Sequence, residues 1–237
     1  ILVVIGILIA LQINNWNESR KNKDKELAHL TGIRHDLKAQ VIDLENIIRA
    51  NKSSVKIVDE LMDNYVEDDG FKKNDSLFYK FNQLLKSSTP SAITTSFTEM
   101  LQSGEVKLIR DDSLRNNIIK FYQNLSAKVK KANQNSMGVH NSSIIPVIQR
   151  NTVFDKADLI NEIDVNFTLS LDKIMYSKRT KSIAIKNLEE PKEELALVNA
   201  LNLKAIVELL QIERSKSLVK EANKLILGID KVIDKHD

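Results

Sequence analysis

The sequence predicts an all-α fold, an elongated antiparallel helical bundle that follows the C-terminal part of a transmembrane helix. Three observations support this prediction. The 237 residues include only 6 Gly and 3 Pro, and both residue types mark turns and helix ends, so the elements are expected to be few and long. Aromatic residues make up only 5%, which is unlike strands rich in Tyr, Phe and Val. Two long seams of apolar residues at helical spacing lie towards the two ends of the chain.

The first predicted element is a membrane span. Residues 1–11 read ILVVIGILIAL and carry no charge or hydroxyl group. A full span needs about 20 apolar residues, but the chain begins at Ile1 rather than Met, so the apolar run is expected to extend upstream. Trp16 follows the run where an interfacial ring belongs. Residues 1–17 are therefore predicted to end a transmembrane helix, with an uncleaved signal sequence or a core helix as the alternatives.

The predicted anchor includes Gly6 and Ala10, which stand four residues apart on one helix face and form a small-xxx-small pair. With Gln12 as a polar contact, this face would allow self-association in the bilayer. Such spacing is common by chance, and a chance occurrence is the preferred interpretation. The basic residues after Trp16 would by themselves favour a cytoplasmic domain. Orientation depends on comparing both flanks, however, so these residues leave it open.

The remainder, residues 18–237, is predicted to form one helical bundle domain. Its first helix, about 24–66, carries a heptad-like, coiled-coil type of seam, and Asn51 to Ser54 is the expected place for a break or bend. Its last helix, about 191–235, begins with Pro191 at the tolerated first-turn position and carries a second seam. Shorter helices are expected between them, and the two long helices are predicted to pack antiparallel.

The most conspicuous unit in the middle of the chain is the corner from Ser103 to Arg115. A ligand or partner site would use free backbone amides at a helix start, with Arg115 nearby. A purely structural corner would use Gly104 to stop one helix and Asp111 or Asp112 to cap the next. The structural interpretation is preferred, and Gly104, Asp112 and Arg115 are kept as a possible partner or ligand corner.

Residues 133–190 give a weaker pattern. The segment from Asn133 to Ser143 is polar and is expected to fray. The segment from Asp164 to Lys173 alternates apolar and polar residues and fits either an extended stretch or a short helix.

The composition argues against several kinds of chemistry. Cysteine is absent, which removes thiol catalysis and cysteine-based zinc sites. The four histidines, His29, His35, His140 and His236, have no metal-ligand spacing and are predicted to be ordinary surface residues. No phosphate-binding glycine loop is present, and basic residues are mixed with acidic ones rather than forming a nucleic-acid stripe. We therefore predict no catalytic residues, no metal, no cofactor and no nucleic-acid partner, and expect that the protein is not an enzyme.

Two segments resemble a known family. The segment GILIALQINNWNESRK, from Gly6 to Lys21, is similar to the N-terminal signature of an uncharacterised family of membrane proteins in bacteroidetes. The segment SFTEMLQSGEVKLIRDDSLRNNIIKFY, from Ser96 to Tyr122, is similar to that family's pattern of a helix, a Ser-Gly turn and an Asp-Ser-Leu-Arg helix start. The resemblance implies a cytoplasmic N-terminus, a single pass through the inner membrane and a domain on the periplasmic side. It carries no established activity or catalytic residue.

These observations predict a membrane-anchored extracytoplasmic scaffold or protein-interaction module. Its expected partners are the lipid bilayer and another membrane or periplasmic protein, with a second copy of the chain as a further candidate. The alternative is a helical bundle that senses a small ligand and signals through a partner protein, because a helix that leaves the membrane can transmit a shift or rotation.

Overall fold

The first helix, α1, runs unbroken from Leu2 to Glu67 in the computed structural model, which describes residues 2–153 and 178–235. The N-terminal apolar run and the first seam therefore belong to one helix. The predicted break at Asn51 to Ser54 does not occur, because these residues are helical, and Asn51 is buried. A polar residue in a seam position does not interrupt a helix whose backbone hydrogen bonds are all internal.

The other described elements are also helical, which confirms the all-α prediction for the described part of the chain. They are α2 (Asp75–Leu84), α3 (Thr95–Gln102), a 3₁₀ turn (Glu105–Leu108), α4 (Asp112–Val139), a π-turn (His140–Ile144), α5 (Ile145–Arg150), α6 (Lys178–Glu189) and α7 (Pro191–Ile233). The predicted fraying from Asn133 to Ser143 is wrong, since α4 and the π-turn span this segment. The segment from Asp164 to Lys173 lies outside the described residues.

The chain divides into two compact units. Unit 1 comprises Ile1–Leu44, Ser91–Val129 and Ser217–Asp237, and unit 2 comprises Glu45–Pro90 and Lys130–Lys216. The long helices α1, α4 and α7 each contribute residues to both units.

The core of unit 1 is formed by α1, α3, α4 and α7. Its buried apolar residues include Leu30, Ile33, Leu37, Leu44, Met100, Ile118, Leu125, Ala222 and Ile229. The rings of Phe97 and Tyr122 stack at a centroid distance of 4.3 Å. An ion pair of 3.1 Å joins Lys128 to Glu221, and Leu114 lies against Gly228, so α4 and α7 run antiparallel within this unit.

Polar side chains of α1 position the segment that leads into α3. The Gln40 amide donates to the Ser91 carbonyl at 2.9 Å and accepts from the Ile93 N–H at 2.8 Å. Asp36 Oδ2 accepts from the Ser96 N–H at 2.6 Å. The close approach of the two helices depends on Gly32, because a Cβ there would lie 3.0 Å from Ser96 Oγ.

Asp36 caps a helix to which it does not belong. Thr94, the N-cap residue of α3, makes no side-chain cap hydrogen bond, and the Asp36 carboxylate satisfies the free N–H of Ser96 instead. We expect Asp36→Ala to lower the free energy of unfolding by about 1–2 kcal/mol, the upper range for a lost cap. Asp36→Asn keeps an oxygen acceptor and should lose less. Urea unfolding of the two variants would check this, and equal losses would contradict the capping role.

The core of unit 2 is built from the second part of α1, α2, the π-turn, α5, α6 and the first part of α7. Its buried apolar residues are Val58, Leu61, Phe71, Leu77, Phe78, Phe81, Leu84, Ile144, Ile148, Ala184, Leu188, Leu197 and Leu201. Within this unit α1 and α7 run antiparallel, because Ser54 faces Glu208 and Tyr65 faces Glu194. This agrees with the predicted pairing of the two seams.

A non-helical strap, residues 85–90, follows α2 in unit 2. Its backbone carbonyls are satisfied by side chains of other elements rather than by a ladder. The Pro90 carbonyl accepts from Asn133 at 3.3 Å, and the Ser88 carbonyl accepts from Gln211 at 3.0 Å. Such side-chain partners are required because a backbone carbonyl inside a protein is costly when it lacks a donor.

Candidate functional site

The first twelve described residues of α1 present apolar side chains to the outside on every face. The large hydrophobic residues from Leu2 to Ile13 have exposed fractions between 47% and 87%. They follow one another almost without interruption, so at 3.6 residues per turn they cover the whole circumference of the helix. A helix that is apolar all round belongs inside a protein or a membrane, and the described residues supply no protein cover for it. We call residues 2–13 the apolar segment.

Gly6, Ala10 and Gln12 lie on the surface of this segment. All three are exposed, and a Cβ added at Gly6 would meet no atom within 4 Å. The predicted small-residue face is therefore open. Self-association through it stays a prediction.

Trp16 marks the end of the apolar segment, one turn after Gln12. Its ring is 65% exposed, and the Arg20 guanidinium carbon lies 5.5 Å from its centroid. This is a cation–π contact between residues four apart on one helix face. An amphipathic ring beside a cation suits a boundary between an apolar and an aqueous phase.

Among the described residues, α7 is the one helix that satisfies the length and composition requirements for a membrane span. In the described part of the chain, α7 contains an 18-residue stretch of mean hydropathy 1.5, and 39% of that stretch is buried. However, α7 also buries Lys204 and Glu208 against other parts of unit 2. We therefore interpret α7 as a core helix, since the core helix of a folded domain has the same length and hydropathy.

The predicted corner forms beside α1. Gly104 ends α3 with φ of 69°, a left-handed conformation that glycine adopts without a Cβ penalty. The 3₁₀ turn follows, and Ile109 is buried after it. The structural role predicted for Gly104 is consistent with this geometry.

Of the two candidate caps for α4, Asp111 has the capping role. Its Oδ1 accepts from the Leu114 N–H at 2.9 Å. Asp112 instead pairs with Arg115 at 2.6 Å, and Arg115 Nη1 donates to the Ile109 carbonyl at 2.9 Å. The fold thus brings Asp112 and Arg115 together, and it uses the guanidinium to close the corner.

The charged contacts of the corner with α1 were not predicted from the sequence. Glu105 on the 3₁₀ turn accepts from Lys25 Nζ and lies beside His29 Nε2, each at 2.6 Å. The hydrogen bond from Lys25, followed by that from His29, lowers the pKa of Glu105 to about 2. Glu105 is therefore a carboxylate at any physiological pH.

A buried carboxylate makes the other charged contacts between α1 and the corner. Glu26 on α1 is only 2% exposed. Its Oε1 accepts from the Arg110 backbone N–H at 2.7 Å, and its Oε2 lies 3.5 Å from Arg110 Nε. Arg110 Nη2 also donates to the Ser19 carbonyl at 3.1 Å. We call Lys25, Glu26 and His29, together with Glu105 and Arg110, the clasp.

The clasp fixes the corner to α1 within the first turns after Trp16. An open polar groove of about 370 Å³ lies next to it, lined by Asn15, Glu18, Ser19, Asn22, Lys107, Leu108 and Arg110. This arrangement could not be predicted from the sequence, because the alternating charges of Lys23 to Glu26 are typical of a solvated helix face. Only the burial of Glu26 distinguishes it from its neighbours.

The histidines divide into different environments. His35 is exposed as predicted, and His29 is half-buried in the clasp. The prediction for His140 is wrong, because it is buried in unit 2, where the π-turn directs it inwards. His236 lies outside the described residues. Within residues 2–153 and 178–235, no group of three or more His, Asp and Glu is placed to hold a metal ion.

Comparison with known proteins identifies one family. The model of a family of unknown function (DUF6090) matches residues 1–168. This range includes the apolar segment, the corner and the clasp, and it ends before α6 and α7 begin. Searches of the curated proteins and of the solved structures each found no match.

Proposed function

Given that the chain belongs to DUF6090, a family of unknown function, we propose that it is a membrane-anchored helical interaction module. In this proposal, the apolar segment lies in the bilayer of the bacterial inner membrane, and the helical units on the periplasmic side bind another membrane or periplasmic protein. The observation that carries the proposal is the apolar segment itself. Nine large hydrophobic side chains lie exposed on all faces of one helix, which is unfavourable in water and favourable in lipid.

The continuity of α1 supports a mechanical link between the bilayer and unit 1. No non-helical residue separates the apolar segment from the clasp, so the helix leaves the membrane without a flexible linker. Trp16 and Arg20 lie at the junction, and the clasp then holds the corner against α1. The anchor would therefore present unit 1 at a fixed height above the membrane.

Exposed apolar residues on α7 support the interaction role. Ile206, Leu209 and Leu210 have exposed fractions of 54%, 49% and 51% and lie within about one turn on one helix face. Contiguous exposed apolar residues often mark a protein-interaction site. We infer that this face of unit 2 contributes to partner binding.

The anchor is tested by measuring the depth of single labels in the membrane. Because the chain has no cysteine, a nitroxide attached at Ile9→Cys reports one position only. In liposomes, this label is expected to collide with dissolved oxygen much more often than with a water-soluble nickel chelate. A label at Leu227→Cys, which is exposed in unit 1, should show the opposite preference. Equal accessibility of the two labels to the nickel chelate would reject the anchor.

The interaction role is tested by site-specific photo-crosslinking in native membranes. A photoreactive residue at Leu209 is expected to capture one protein at near-equal stoichiometry, whereas one at the exposed Lys52 of the same unit should not. Adducts with the chain itself would identify self-association instead. Absence of any stoichiometric adduct at Leu209 would contradict the proposed surface.

A further inference from the structure

Unit 2 contains a buried cluster of charged and polar side chains. Lys204 and Glu208 lie one turn apart on α7, with exposed fractions of 2% and 5%. Lys204 Nζ donates to Glu208 Oε1 and to the Lys86 carbonyl of the strap, each at 2.8 Å. The lysine ammonium therefore forms an ion pair with the carboxylate and also donates a hydrogen bond to the strap.

His140 joins the cluster from the π-turn. Its Nε2 lies 2.9 Å from the Leu85 carbonyl of the strap. A carbonyl oxygen accepts hydrogen bonds only, so Nε2 carries the proton and Nδ1 of the neutral ring is an acceptor. Burial and then the charge of Lys204 lower the pKa of His140, which keeps the ring neutral at pH 7. A π-turn inserted between helices is often found at functional sites.

Four polar atoms of this cluster have no hydrogen-bond partner among the described residues. One is Ser54 Oγ on α1, which faces Glu208. The other three are Asn51 Nδ2 on α1, His140 Nδ1 on the π-turn and Glu208 Oε2 on α7. Each of these three belongs to a side chain that is more than nine-tenths buried. Native proteins leave few buried polar atoms unpaired, and an internal water molecule often satisfies those that direct contacts leave.

All three residues line one small cavity together with Ser136 and Gln211. The space in this cavity is about 10 Å³, and a single water molecule needs roughly 10–15 Å³ by the same measure. The cavity is therefore too small for an organic ligand. The Lys204 ammonium disfavours a metal cation there, and the Glu208 carboxylate disfavours an anion.

We propose that unit 2 binds one structural water molecule that donates to His140 Nδ1 and Glu208 Oε2 and accepts from Asn51 Nδ2. The two acceptors use the two hydrogens of the water, and the one donor uses one of its two lone pairs. The water joins α1, the π-turn and α7, and two of these elements also hold the strap through His140 and Lys204. This inference is independent of the membrane anchor.

The proposal is tested by nuclear magnetic resonance on the full chain in detergent micelles. A bound water with a long residence time gives a nuclear Overhauser effect between the water resonance and the Asn51 amide protons. Its sign is that of a slowly tumbling molecule. We expect this signal in the native protein. Its absence, or a direct hydrogen bond between Asn51 and His140, would overturn the proposal.

Matched variants separate the water from general effects. Asn51→Leu fills the site with an apolar side chain and should abolish the long-lived water signal at the His140 ring. Asn64→Leu changes the same residue type at an exposed position of the same helix and unit and should leave the signal unchanged. If Asn51→Leu does not fold, the native measurement still decides the question.

Acidification should loosen the strap, because a protonated His140 turns Nδ1 from an acceptor into a donor and adds a cation beside Lys204. The pKa of His140 is lower in the folded protein than its ordinary value of 6.5, so the unfolded state binds the proton first. The stabilising effect is complete above about pH 6.5 and falls as the pH drops below it.

Hydrogen exchange of the strap amides measures this loss. After correction for intrinsic exchange, protection of these amides should decrease below about pH 6.5. The decrease should be at most about tenfold per pH unit, because one proton is bound. The other charged groups that face His140 are Lys204 and Glu208 on α7; α1 contributes the neutral Asn51 and Ser54, and α4 contributes Ser136. His140→Gln retains a donor for the Leu85 carbonyl and should remove the pH dependence. An unchanged pH dependence in this variant would assign the effect to another group.

Discussion

Replacing Glu208 with Leu is expected to lower the free energy of unfolding by about 3–5 kcal/mol, the range for removing one partner of a buried ion pair. The variant leaves the Lys204 ammonium buried without a counter-charge. Burial already lowers the pKa of Lys204, and Glu208 opposes that shift by its charge and its hydrogen bond. Without Glu208, the lysine must lose its proton or draw water into the core of unit 2.

Urea unfolding followed by circular dichroism would measure this loss. Glu213→Leu is the matched control, because Glu213 pairs with Lys216 on the same helix but both side chains are at least half exposed. Exposed pairs contribute only about 0–1 kcal/mol. Losses of similar size in the two variants would show that Glu208 is not part of a desolvated pair.

The double variant Lys204→Met with Glu208→Leu separates the charge from the strap. Replacing both members of a buried pair with apolar residues is often neutral or stabilising. Here the Lys86 carbonyl would still lose its donor from Lys204. We therefore expect recovery of part of the loss, with a residual deficit of about 1–3 kcal/mol for one unsatisfied buried group.

Replacing Ile7 with Asp is expected to reduce membrane insertion strongly. A carboxylate in the centre of a membrane helix costs about 2.5–3.5 kcal/mol on the scale measured by insertion, which corresponds to roughly 60–300-fold in partition. Ile7 lies in the middle of the apolar segment and contacts no protein cover, since 56% of its surface is exposed. The substitution should therefore affect insertion and leave the folded units unchanged.

Ile42→Asp provides the control for this experiment. Ile42 lies on the same helix and is 60% exposed, but it is far beyond the apolar segment. Extraction of membranes with alkaline carbonate should release the Ile7→Asp protein and retain the Ile42→Asp protein. If both variants remain in the membrane fraction, another part of the chain provides the attachment, and α7 becomes the next candidate.

Features that depend on local pattern could be predicted from the sequence. The start of α7 at Pro191 and the end of α3 before Gly104 follow from the action of each residue on its own backbone, and the apolar seams of the long helices repeat at the helical period. The break predicted at Asn51 does not occur. A polar residue in an apolar seam indicates a break when only the sequence is considered, but in the fold Asn51 faces a polar cavity and the helix continues.

The sequence by itself determined the all-α class, the helix ends, the corner at Gly104 and the apolar segment, because each of these follows from residues within about two turns of one another. Only the tertiary structure decided that Asp36 caps α3, that Glu26 is buried against Arg110, and that His140 meets Lys204 and Glu208. In sequence, each of these polar residues is like its solvent-exposed neighbours. Their roles arise from partners 60 or more residues away, which are brought close only when the helices pack and exclude water.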